Sequence, residues 1–573
     1  MQYISVLNLS ETPKSVSFLP KKKLMKKITL LCALVSLMAM NAQVTGEGTP
    51  LSWEISNRSV TAPVVMPTID LEAVAAQDAV NDTRLDRPWR FGIELGVDLG
   101  ISNAGVWDEL PNGDGIWRIN IVSNGAKTIN FVFDQYKMPA GGSVYLYSDD
   151  RSSLLGAYTN IMNNEEQLLG TWMVDGESIW IEYHEPKAVR GEGLLNINKV
   201  VHGYRSKAES ELFAKGLNDS GNCNHDVDCS VGADFNPLKE DLKRSVALQI
   251  MGGFVCSGAL VNNVNNDRAP YFLTANHCDT GSSPATWSWR FNWRSPSPSC
   301  GTTTGSTTSS FDTTSGALKR ATNSESDVML LELTGSLPLS WNLVWAGWNR
   351  SASAVPSFTV GIHHPSGDIM KVCRDDESPS KAIYNFNGNP SAEMWRINGV
   401  GGGGGDGWDI GVTEGGSSGS PLFNEDGHIV GQLAGGSAAC AGTNDNSGFD
   451  IYGRFDKSWD FGSSASNSLQ PWLDPAGTAG DTLNTLSTTD FQFEANLSIF
   501  PNPASTLLNV VNFGGTDLDY EVYSIVGQVM ARGTFGAVNN ELNVSDYTEG
   551  IYFVKIVDNE NNASITKKIV VRH

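Results

Sequence analysis

Three serines and three glycines surround one proline in the stretch EGGSSGSPLF, which runs from Glu414 to Phe423. A serine hydroxyl acts as a nucleophile when a base takes its proton, and acyl transfer also needs N–H groups directed at the developing oxyanion. Glycines beside a serine allow the backbone conformations that such a turn requires. The stretch therefore predicts Ser418 as a nucleophile, with the N–H groups of Gly416 and Ser418 forming an oxyanion hole.

The residues that follow argue against the simplest alternative, a flexible Gly/Ser loop or linker. They read PLFNEDGHIVGQLAGG, two apolar runs separated by Asp426–Gly427. An Asp-Gly pair between such runs is typical of a hairpin turn. We therefore expect Ser418 to lie on a loop that strands hold in place.

The base for Ser418 must be one of 8 histidines. His277, in FLTANHC, follows a strand-like run and directly precedes Cys278. A disulfide from Cys278 to Cys256 would hold this loop rigid, and fixed placement of a base favours catalysis. These features predict His277 as the general base.

A buried carboxylate should fix the tautomer of that histidine. Asp327 stands at the start of the apolar run DVMLLEL, where burying it without a partner would be unfavourable. His277 is the partner that we predict, and a strand-end cap is the alternative for Asp327. The order His277, Asp327, Ser418 is that of the chymotrypsin type.

The elements that must position these residues belong to a long and acidic chain. It has 573 residues, with 40 Lys plus Arg against 63 Asp plus Glu and a net charge of −23. That length predicts several domains, and that charge disfavours nucleic-acid partners.

The N-terminus has the pattern of an export signal. A basic run from Lys21 to Lys27 precedes the apolar run Ile28 to Met40, which is too short to span a bilayer. We expect a signal peptide over 1–42, with cleavage after Ala42 and a start that could be Met25, and we expect no transmembrane segment.

Seven cysteines follow this segment, all between 223 and 440. Export permits disulfides, and an odd number leaves one thiol over. His225 between Cys223 and Cys229 could suggest zinc, but disulfides are favoured here. The pair His363–His364 is interpreted as a turn. We predict no metal and no cofactor.

Strand-like runs separated by turn residues predict an all-β protein. We expect a β-rich propeptide over 43–215, a cysteine-containing domain over 216–476, a Thr/Ser/Gly-rich linker over 477–496 and a small β-sandwich over 497–573.

TANHC, SDVMLLEL and VTEGGSSGSPLF resemble the lysyl endopeptidase family of chymotrypsin-fold bacterial serine proteases, as do SGALVNN, LVWAGWNR and DIYGR. The resemblance covers about 216–476. It implies two six-stranded β-barrels with the triad between them.

The resemblance also implies a specificity residue. Asp450, in DIYGR, corresponds to the acid at the base of the S1 pocket, where it would select a cationic side chain. The family's histidine within GQLxGG is Ala434 here. This departure weakens the expectation of a strong preference for lysine over arginine.

The same resemblance implies three disulfides and leaves Cys373 over. The implied pairs are Cys223–Cys440, Cys229–Cys300 and Cys256–Cys278. Ser417 stands where mammalian trypsins have an activating Asp, so we expect a site that is already formed before processing. Lys215–Gly216 is the expected cleavage point, which a lysine-specific enzyme could cut itself.

SIFPNPA, GQVM, GIYFVKI and the KKIVV ending resemble the type A sorting domain of the type IX secretion system. This resemblance implies an interaction with that secretion machinery and a secreted or cell-surface location.

Together these features predict a monomeric, secreted serine endopeptidase that cleaves protein or peptide substrates after lysine, with arginine as a second basic residue. Two alternatives stay open. One is an inactive, surface-displayed binding protein with a protease fold, and the other is a serine protease without a basic preference.

Overall fold

The computed structural model describes most of the chain after the predicted signal segment. The described residues are 48–55, 58–84, 87–205, 219–301, 311–386, 389–397, 407–442, 444–462, 464–487, 493, 496–536, 539–558 and 563–573. The predicted signal peptide and the predicted cleavage point Lys215–Gly216 lie outside them. Strands greatly outnumber helices in this part of the chain, which confirms the all-β class. None of its helices is long and apolar enough to cross a membrane.

The N-terminal sandwich, residues 48–205, consists of two sheets. The first contains Val64–Val65, Val106–Glu109, Gly115–Val122, Ser143–Ser148, Leu154–Tyr158 and Ser178–Glu185. The second contains Gly92–Gly100, Thr128–Lys137, Leu169–Gly170, Val174–Asp175 and Leu194–Gly203. Helix Leu71–Asn81 precedes these longer strands, and the Asp70 carboxylate caps it by accepting from the Ala73 N–H. This is the capping geometry that favours a helix start.

The apolar core of the N-terminal sandwich extends into the next domain. Residues of the two sheets form one buried cluster with Leu248, Val255, Trp293 and Ile369 of the central domain. Burial of shared apolar surface stabilises both partners together. Removing the sandwich would therefore expose apolar side chains of the central domain.

The central domain begins with a sheet of eight strands. In spatial order its main path is Asp312–Ser315, Ser288–Phe291, Val246–Met251, Phe254–Leu260, Tyr271–Ala275, Val328–Leu333 and Ala317–Asn323. The strand Trp89–Arg90 from the N-terminal sandwich joins the edge of Phe254–Leu260. The run VALQIM is buried along its whole length, as expected for a strand with core on both faces.

The second sheet of the central domain has twelve strands. Its main path is Ser380–Phe386, Asn389–Ile397, Asp450–Arg454, Ile429–Gly436, Pro421–Phe423, Thr359–His363, Lys371–Asp375, Trp408–Ile410 and Asn444–Asn446. Three short strands join its sides: His225–Asp226, Trp348–Asn349 and Thr482–Leu483. Both sheets are larger than the six-stranded barrels that the resemblance implied, since their main paths alone contain seven and nine strands.

Three disulfides fasten the central domain: Cys223–Cys440, Cys229–Cys300 and Cys256–Cys278. They are the pairs that the family resemblance implied. Cys373 is a buried free thiol, and burial raises its pKa well above the usual value. A thiol in that state is a poor nucleophile.

Part of the predicted linker over 477–496 is strand instead. Thr482–Leu483 pairs with Trp348–Asn349, and Leu486–Ser487 pairs with Val344–Trp345. Thr/Ser-rich composition suggested a linker, but Leu483 and Leu486 pack on the apolar clusters of the central domain, which favours pairing with its strands. These residues are therefore attached to the central domain.

The C-terminal sandwich has two sheets and a core of its own. One sheet contains Leu497–Phe500, Leu507–Asn512 and Asn539–Asn543, and the other contains Leu518–Ser524, Val529–Phe535, Gly550–Asp558 and Ala563–Val571. Their apolar side chains form a cluster made only of residues from 493 to 571.

The remaining helices are short. The α-helices are Asn236–Leu242, Phe455–Trp459 and Gln470–Leu473. The 3₁₀ turns are Leu51–Trp53, Asn160–Met162, Lys187–Val189, Asn276–Cys278, Pro284–Thr286, Leu339–Trp341 and Pro365–Gly367.

Candidate active site

Strand register brings His277 and Asp327 together. Ala275, the last residue of its strand, pairs with Val328, the first residue of the neighbouring strand. The residues just beyond these ends are therefore adjacent. His277 Nδ1 lies 2.7 Å from Asp327 Oδ2, and the backbone N–H of His277 donates to Asp327 Oδ1 at 2.9 Å.

Asp327 is completely buried, and its backbone is held in the left-handed region with φ of 53°. Asp tolerates this conformation better than most residues. Its backbone carbonyl also accepts from the Asn276 N–H at 2.9 Å. The carboxylate and the backbone of Asp327 thus both fix the turn that carries the imidazole.

Glycines shape the loop that carries Ser418. Gly416 and Gly419 have φ of 96° and 81°, values that side chains disfavour. A Cβ on Gly419 would lie only 2.2 Å from Thr274 Oγ1. The loop can approach the first sheet this closely only because residue 419 has no side chain.

The strand that contains Ser257 supports the loop from behind. The Ser257 N–H donates to the Ser418 carbonyl at 2.8 Å, and Ser257 Oγ donates to the Gly416 carbonyl at 2.9 Å. The carbonyls of Gly416 and Ser418 are thus both hydrogen-bonded to Ser257, which leaves the N–H groups of the same two residues to be accounted for. Within the described residues, neither N–H donates a hydrogen bond. Both are available to an external acceptor.

His277 and Ser418 line the same cavity, which has a volume of about 190 Å³. Ser418 is partly exposed, and among the residues that the structure describes its hydroxyl has no hydrogen-bond partner. Contacts between catalytic groups are often long before substrate binds. The structure thus places the predicted base and the predicted nucleophile in one cavity between the two sheets.

Ser417, next to the predicted nucleophile, points to a second histidine. Its Oγ lies 2.7 Å from His363 Nδ1 and accepts from the Glu414 N–H at 3.2 Å. Burial lowers the pKa of His363 to about 3, so its imidazole is neutral. A hydrogen bond between two uncharged groups therefore joins Ser417 to His363. At this position mammalian trypsins have an Asp that forms an activating ion pair. Here the pair is uncharged, as the Ser at residue 417 led us to expect.

The neighbouring His364 has a structural role. Its Nδ1 lies 2.8 Å from the Asp368 carbonyl, and its ring stacks on Trp293 at a centroid distance of 6.0 Å. Burial lowers its pKa to about 4. Together with turn Pro365–Gly367, these contacts describe a turn packed on the sheet.

Asp450 lines the cavity that contains Ser418 and is 1% exposed. Its Oδ2 accepts from Trp408 Nε1 at 2.7 Å and from Thr413 Oγ1 at 2.6 Å. Burial raises its pKa to about 6, although these two hydrogen bonds and a third from the Ala438 backbone N–H act in the opposite direction. Within the described residues, no cation lies within ion-pair distance of this carboxylate. Ala434, another residue of the cavity wall, is completely buried.

Glu414 anchors the loop that carries Ser418 to the start of the central domain. Its Oε1 accepts from the Gly221 N–H at 3.0 Å and from Asn224 Nδ2 at 3.2 Å. Its Oε2 accepts from Ser366 Oγ at 2.9 Å. Sequence reasoning missed this residue, as it missed Trp408 and Thr413. Glu414 and Thr413 directly precede the Gly/Ser stretch, so their polar side chains were a signal that the sequence offered. Nothing in the sequence indicated Trp408.

Two groups of potential metal ligands occur among the described residues. Cys256, His277 and Cys278 lie close together, but the two cysteines form a disulfide and offer no thiolate. The side chains of Asp375, Glu377 and Asp409 also converge, and burial raises the pKa of Asp375 to about 8. None of the three acids lines the cavity of Ser418.

Comparison with protein families confirms both resemblances that the motifs indicated. Residues 217–453 match the family model of the lysyl endopeptidase C-terminal domain. Residues 498–572 match the secretion system C-terminal sorting domain. The sorting domain indicates export by type IX secretion, to the cell surface or the medium.

Among characterised relatives, the chain is similar to a lysyl endopeptidase of Pseudomonas aeruginosa. The two are 26% identical over 274 residues, which is 46% of this chain and 55% of the relative. The match therefore spans about half of the relative's length.

Among solved structures, the chain is similar to the protease Rv3671c of Mycobacterium tuberculosis H37Rv in two inactive forms. Both are 14% identical to this chain. One match covers 44% of this chain and 98% of the other with a TM-score of 0.26. The second covers 39% and 90% with a TM-score of 0.25.

Proposed function

We propose that this chain is a secreted serine endopeptidase that cleaves after lysine, and secondarily after arginine, by a His-Asp-Ser triad. The observation that carries the proposal is one cavity lined by His277, Ser418 and Asp450, with Asp327 bonded to the histidine from behind. A base, a nucleophile and a selective acid thus face the same space.

The contact with Asp327 determines what the imidazole can do. A carboxylate beside Nδ1 favours the tautomer with the proton on Nδ1. Nε2 is then free to accept the proton of the Ser418 hydroxyl as this oxygen attacks the scissile carbonyl. The imidazolium formed in this step is stabilised by Asp327 and later protonates the departing amine.

The backbone supplies the oxyanion hole. The N–H groups of Gly416 and Ser418 donate to nothing among the described residues. Donors that are already oriented stabilise the charge that develops on the carbonyl oxygen, and removing one such donor typically reduces kcat about 10²- to 10³-fold.

Asp450 gives the preference for a basic P1 residue, the residue that donates the scissile carbonyl. A buried carboxylate with only neutral donors has an unfavourable free energy, which a lysine ammonium or an arginine guanidinium would lower. Ala434, which lines the same cavity, stands where the resemblance places a histidine, so we expect arginine to be accepted as well as lysine.

The flanking regions have supporting roles in this proposal. Residues 43–215 form a propeptide that is removed at Lys215–Gly216, and residues 497–573 direct export. The residues of the protease domain, 216–476, carry all three triad members.

Digestion of a peptide library, with the P1 residue identified by mass spectrometry, tests the proposal. The wild-type protein should cut after lysine and arginine, and Asp450→Asn should lose this preference while still cutting. Cleavage after apolar residues by both proteins would favour a protease without basic preference. No cleavage by a processed, folded wild-type protein would favour an inactive binding protein.

A further inference from the structure

Three carboxylates converge on the second sheet of the central domain. Asp375 is the last residue of strand Lys371–Asp375, Glu377 follows it by two residues, and Asp409 lies on the neighbouring strand Trp408–Ile410. One oxygen of each acid lies within 4.8 Å of the others. Like charges this close repel each other unless a proton or a cation lies between them.

The carboxyl groups of Asp375 and Glu377 lie within hydrogen-bond reach of each other. Asp375 is 1% exposed, and its Oδ1 accepts from the Glu377 N–H at 3.1 Å. Asp375 Oδ2 and Glu377 Oε2 are buried, and among the described residues neither oxygen has a hydrogen-bond partner. A buried polar atom without a partner has an unfavourable free energy. The two facing carboxyl groups therefore need a proton or a metal ion.

The nearest arginine along the chain does not supply this positive charge. Arg374 pairs with Asp234 at 2.8 Å and also with Asp376. Within the part of the chain that the structure describes, neither Asp375 nor Glu377 forms an ion pair. The positive charge must therefore come from outside the described protein groups.

A buried hydroxyl adds a further oxygen on the same face of the sheet. Thr359 pairs with Asp375 across two antiparallel strands, and directly opposed residues have Cβ atoms about 5 Å apart. Thr359 is completely buried, and its Oγ1 has no hydrogen-bond partner in the described structure. Its hydroxyl is thus a neutral oxygen beside the carboxylates.

The chemistry of these donors selects a hard cation. All of them are oxygens, and Ca²⁺ binds six to eight oxygens at about 2.3–2.6 Å in a flexible geometry. Two such bonds span the 4.8 Å within which the three carboxylate oxygens lie. Mg²⁺ usually keeps several waters and binds through only one or two carboxylates. Three convergent carboxylates therefore favour Ca²⁺.

We propose that Asp375, Glu377 and Asp409, together with the Thr359 hydroxyl, form a calcium site in the central domain. We predicted no metal from the sequence, where Asp409 stands 409 − 377 = 32 residues after Glu377 and no calcium-loop spacing is present. Strand pairing brings the acids together. The inference does not depend on the proposed protease function.

The location of the site suggests what the ion would stabilise. It would join strand Trp408–Ile410 to strand Lys371–Asp375 through their acids. Trp408 donates to Asp450 at 2.7 Å. Calcium would therefore fix the strand that supplies one of the donors to Asp450.

The first test is calorimetric titration of the full-length Ser418→Ala chain with CaCl₂ after removal of metals by a chelator. Burial raises the pKa of Asp375 to about 8, and ligands must be deprotonated to bind a metal, so the titration is made at about pH 9. We expect a dissociation constant of about 10⁻⁶ to 10⁻³ M.

Variants of the same chain locate the bound ion. Asp409→Asn should weaken Ca²⁺ binding about tenfold or more, because affinity depends on the number of charged ligands. Its amide oxygen can still accept from the Asp376 N–H, as Asp409 does. Asp376→Asn is the matched control: it removes an acid from the same turn that is 57% exposed, pairs with Arg374 and lies outside the cluster. It should leave the affinity unchanged.

The second test measures thermal unfolding with and without Ca²⁺. A ligand that binds only the folded state raises Tm, so Ca²⁺ should raise the Tm of the Ser418→Ala chain by a few degrees and Mg²⁺ should raise it less. Asp375→Asn should abolish the difference made by Ca²⁺. This difference is measurable even where the substitution changes the Tm of the metal-free chain.

Two results would overturn the inference. One is neither heat of binding nor a change in Tm at millimolar Ca²⁺, which would mean that the facing carboxyl groups share a proton instead. The other is equal Ca²⁺ affinity in Asp409→Asn and Asp376→Asn, which would place the bound ion elsewhere. Because every chain tested lacks the Ser418 hydroxyl, neither result bears on the protease function.

Discussion

Two buried carboxylates belong to the candidate site around Ser418, and their partners differ. Both oxygens of Asp327 contact His277, one through the ring and one through the backbone N–H. Among the described residues, the donors to Asp450 are neutral, namely Trp408, Thr413 and the Ala438 backbone N–H, and burial raises its pKa to about 6. The first carboxylate already has the group on which it acts. In the proposed function, the second carboxylate is paired with a cation that the substrate supplies.

In the proposed function, this difference assigns the rate of the chemical step to one carboxylate and the preference for basic substrates to the other. A carboxylate whose partner belongs to the protein acts on every substrate equally. A carboxylate whose partner belongs to the substrate changes the binding of basic substrates alone. Substitutions at the two positions should therefore affect different kinetic constants.

The largest expected effect comes from Asp327→Asn. An amide would favour the wrong imidazole tautomer, and the expected loss in kcat is about 10⁴-fold with little change in KM. Steady-state kinetics on lysine and neutral P1 substrates measures it, and both should lose equally. Asp279→Asn, at a partly exposed acid paired with Lys319, is the control. A loss confined to lysine substrates would contradict the proposal that Asp327 acts on every substrate equally.

Asp450→Asn should have the next largest effect, and a selective one. Leaving a buried ammonium without its carboxylate costs about 3–5 kcal/mol, so kcat/KM for lysine substrates should fall about 10²- to 5 × 10³-fold. Substrates with a neutral P1 residue should be unaffected, as the same kinetics would show. Equal losses on both substrate types would mean that Asp450 supports the fold rather than the selectivity.

The preference for lysine should also depend on pH. As pH falls through about 6, Asp450 gains a proton and loses its attraction for a cation. One pH unit below that pKa only about a tenth of the carboxylate is ionised, so the preference should fall about tenfold between pH 8 and 5. The ratio of kcat/KM for lysine and neutral P1 substrates isolates this effect, because titration of the catalytic groups cancels. A ratio independent of pH would contradict the assignment.

Thr413→Val should give the smallest effect and refine the comparison. It removes a donor that stabilises the ionised carboxylate of Asp450, so the pKa should rise further. Loss of one hydrogen bond to a charged group is worth about 1.5 kcal/mol or more, which corresponds to about one pH unit. The midpoint of the ratio curve should move upward, whereas an unchanged or lower midpoint would show that Thr413 does not tune Asp450.

The contact between Asp327 and His277 could be predicted from the sequence. Most of the contacts of Asp450 could not. A carboxylate before an apolar run and a histidine before a cysteine are local signals, and strand register then joins them. Asp450 itself was found only through a family resemblance. Its donor Trp408 follows a glycine-rich run, and no local pattern indicates which side chain such a run places against the pocket.

The strand Trp89–Arg90 illustrates the same limit. Two residues are too few to show a period, and their pairing with Val255 depends on the fold of both domains. By contrast, the all-β class followed from strand-like runs along the whole chain. Patterns that repeat over many residues are readable from sequence, whereas single tertiary contacts are not.

Mapping the site of covalent labelling tests the central claim most directly. A phosphonate reagent with a basic side chain is incubated with the processed protein, and peptide mass spectrometry locates the adduct. The account predicts an adduct on Ser418 that is lost in Ser418→Ala and kept in Ser420→Ala. An adduct on another serine, or none on a folded and processed protein, would contradict it.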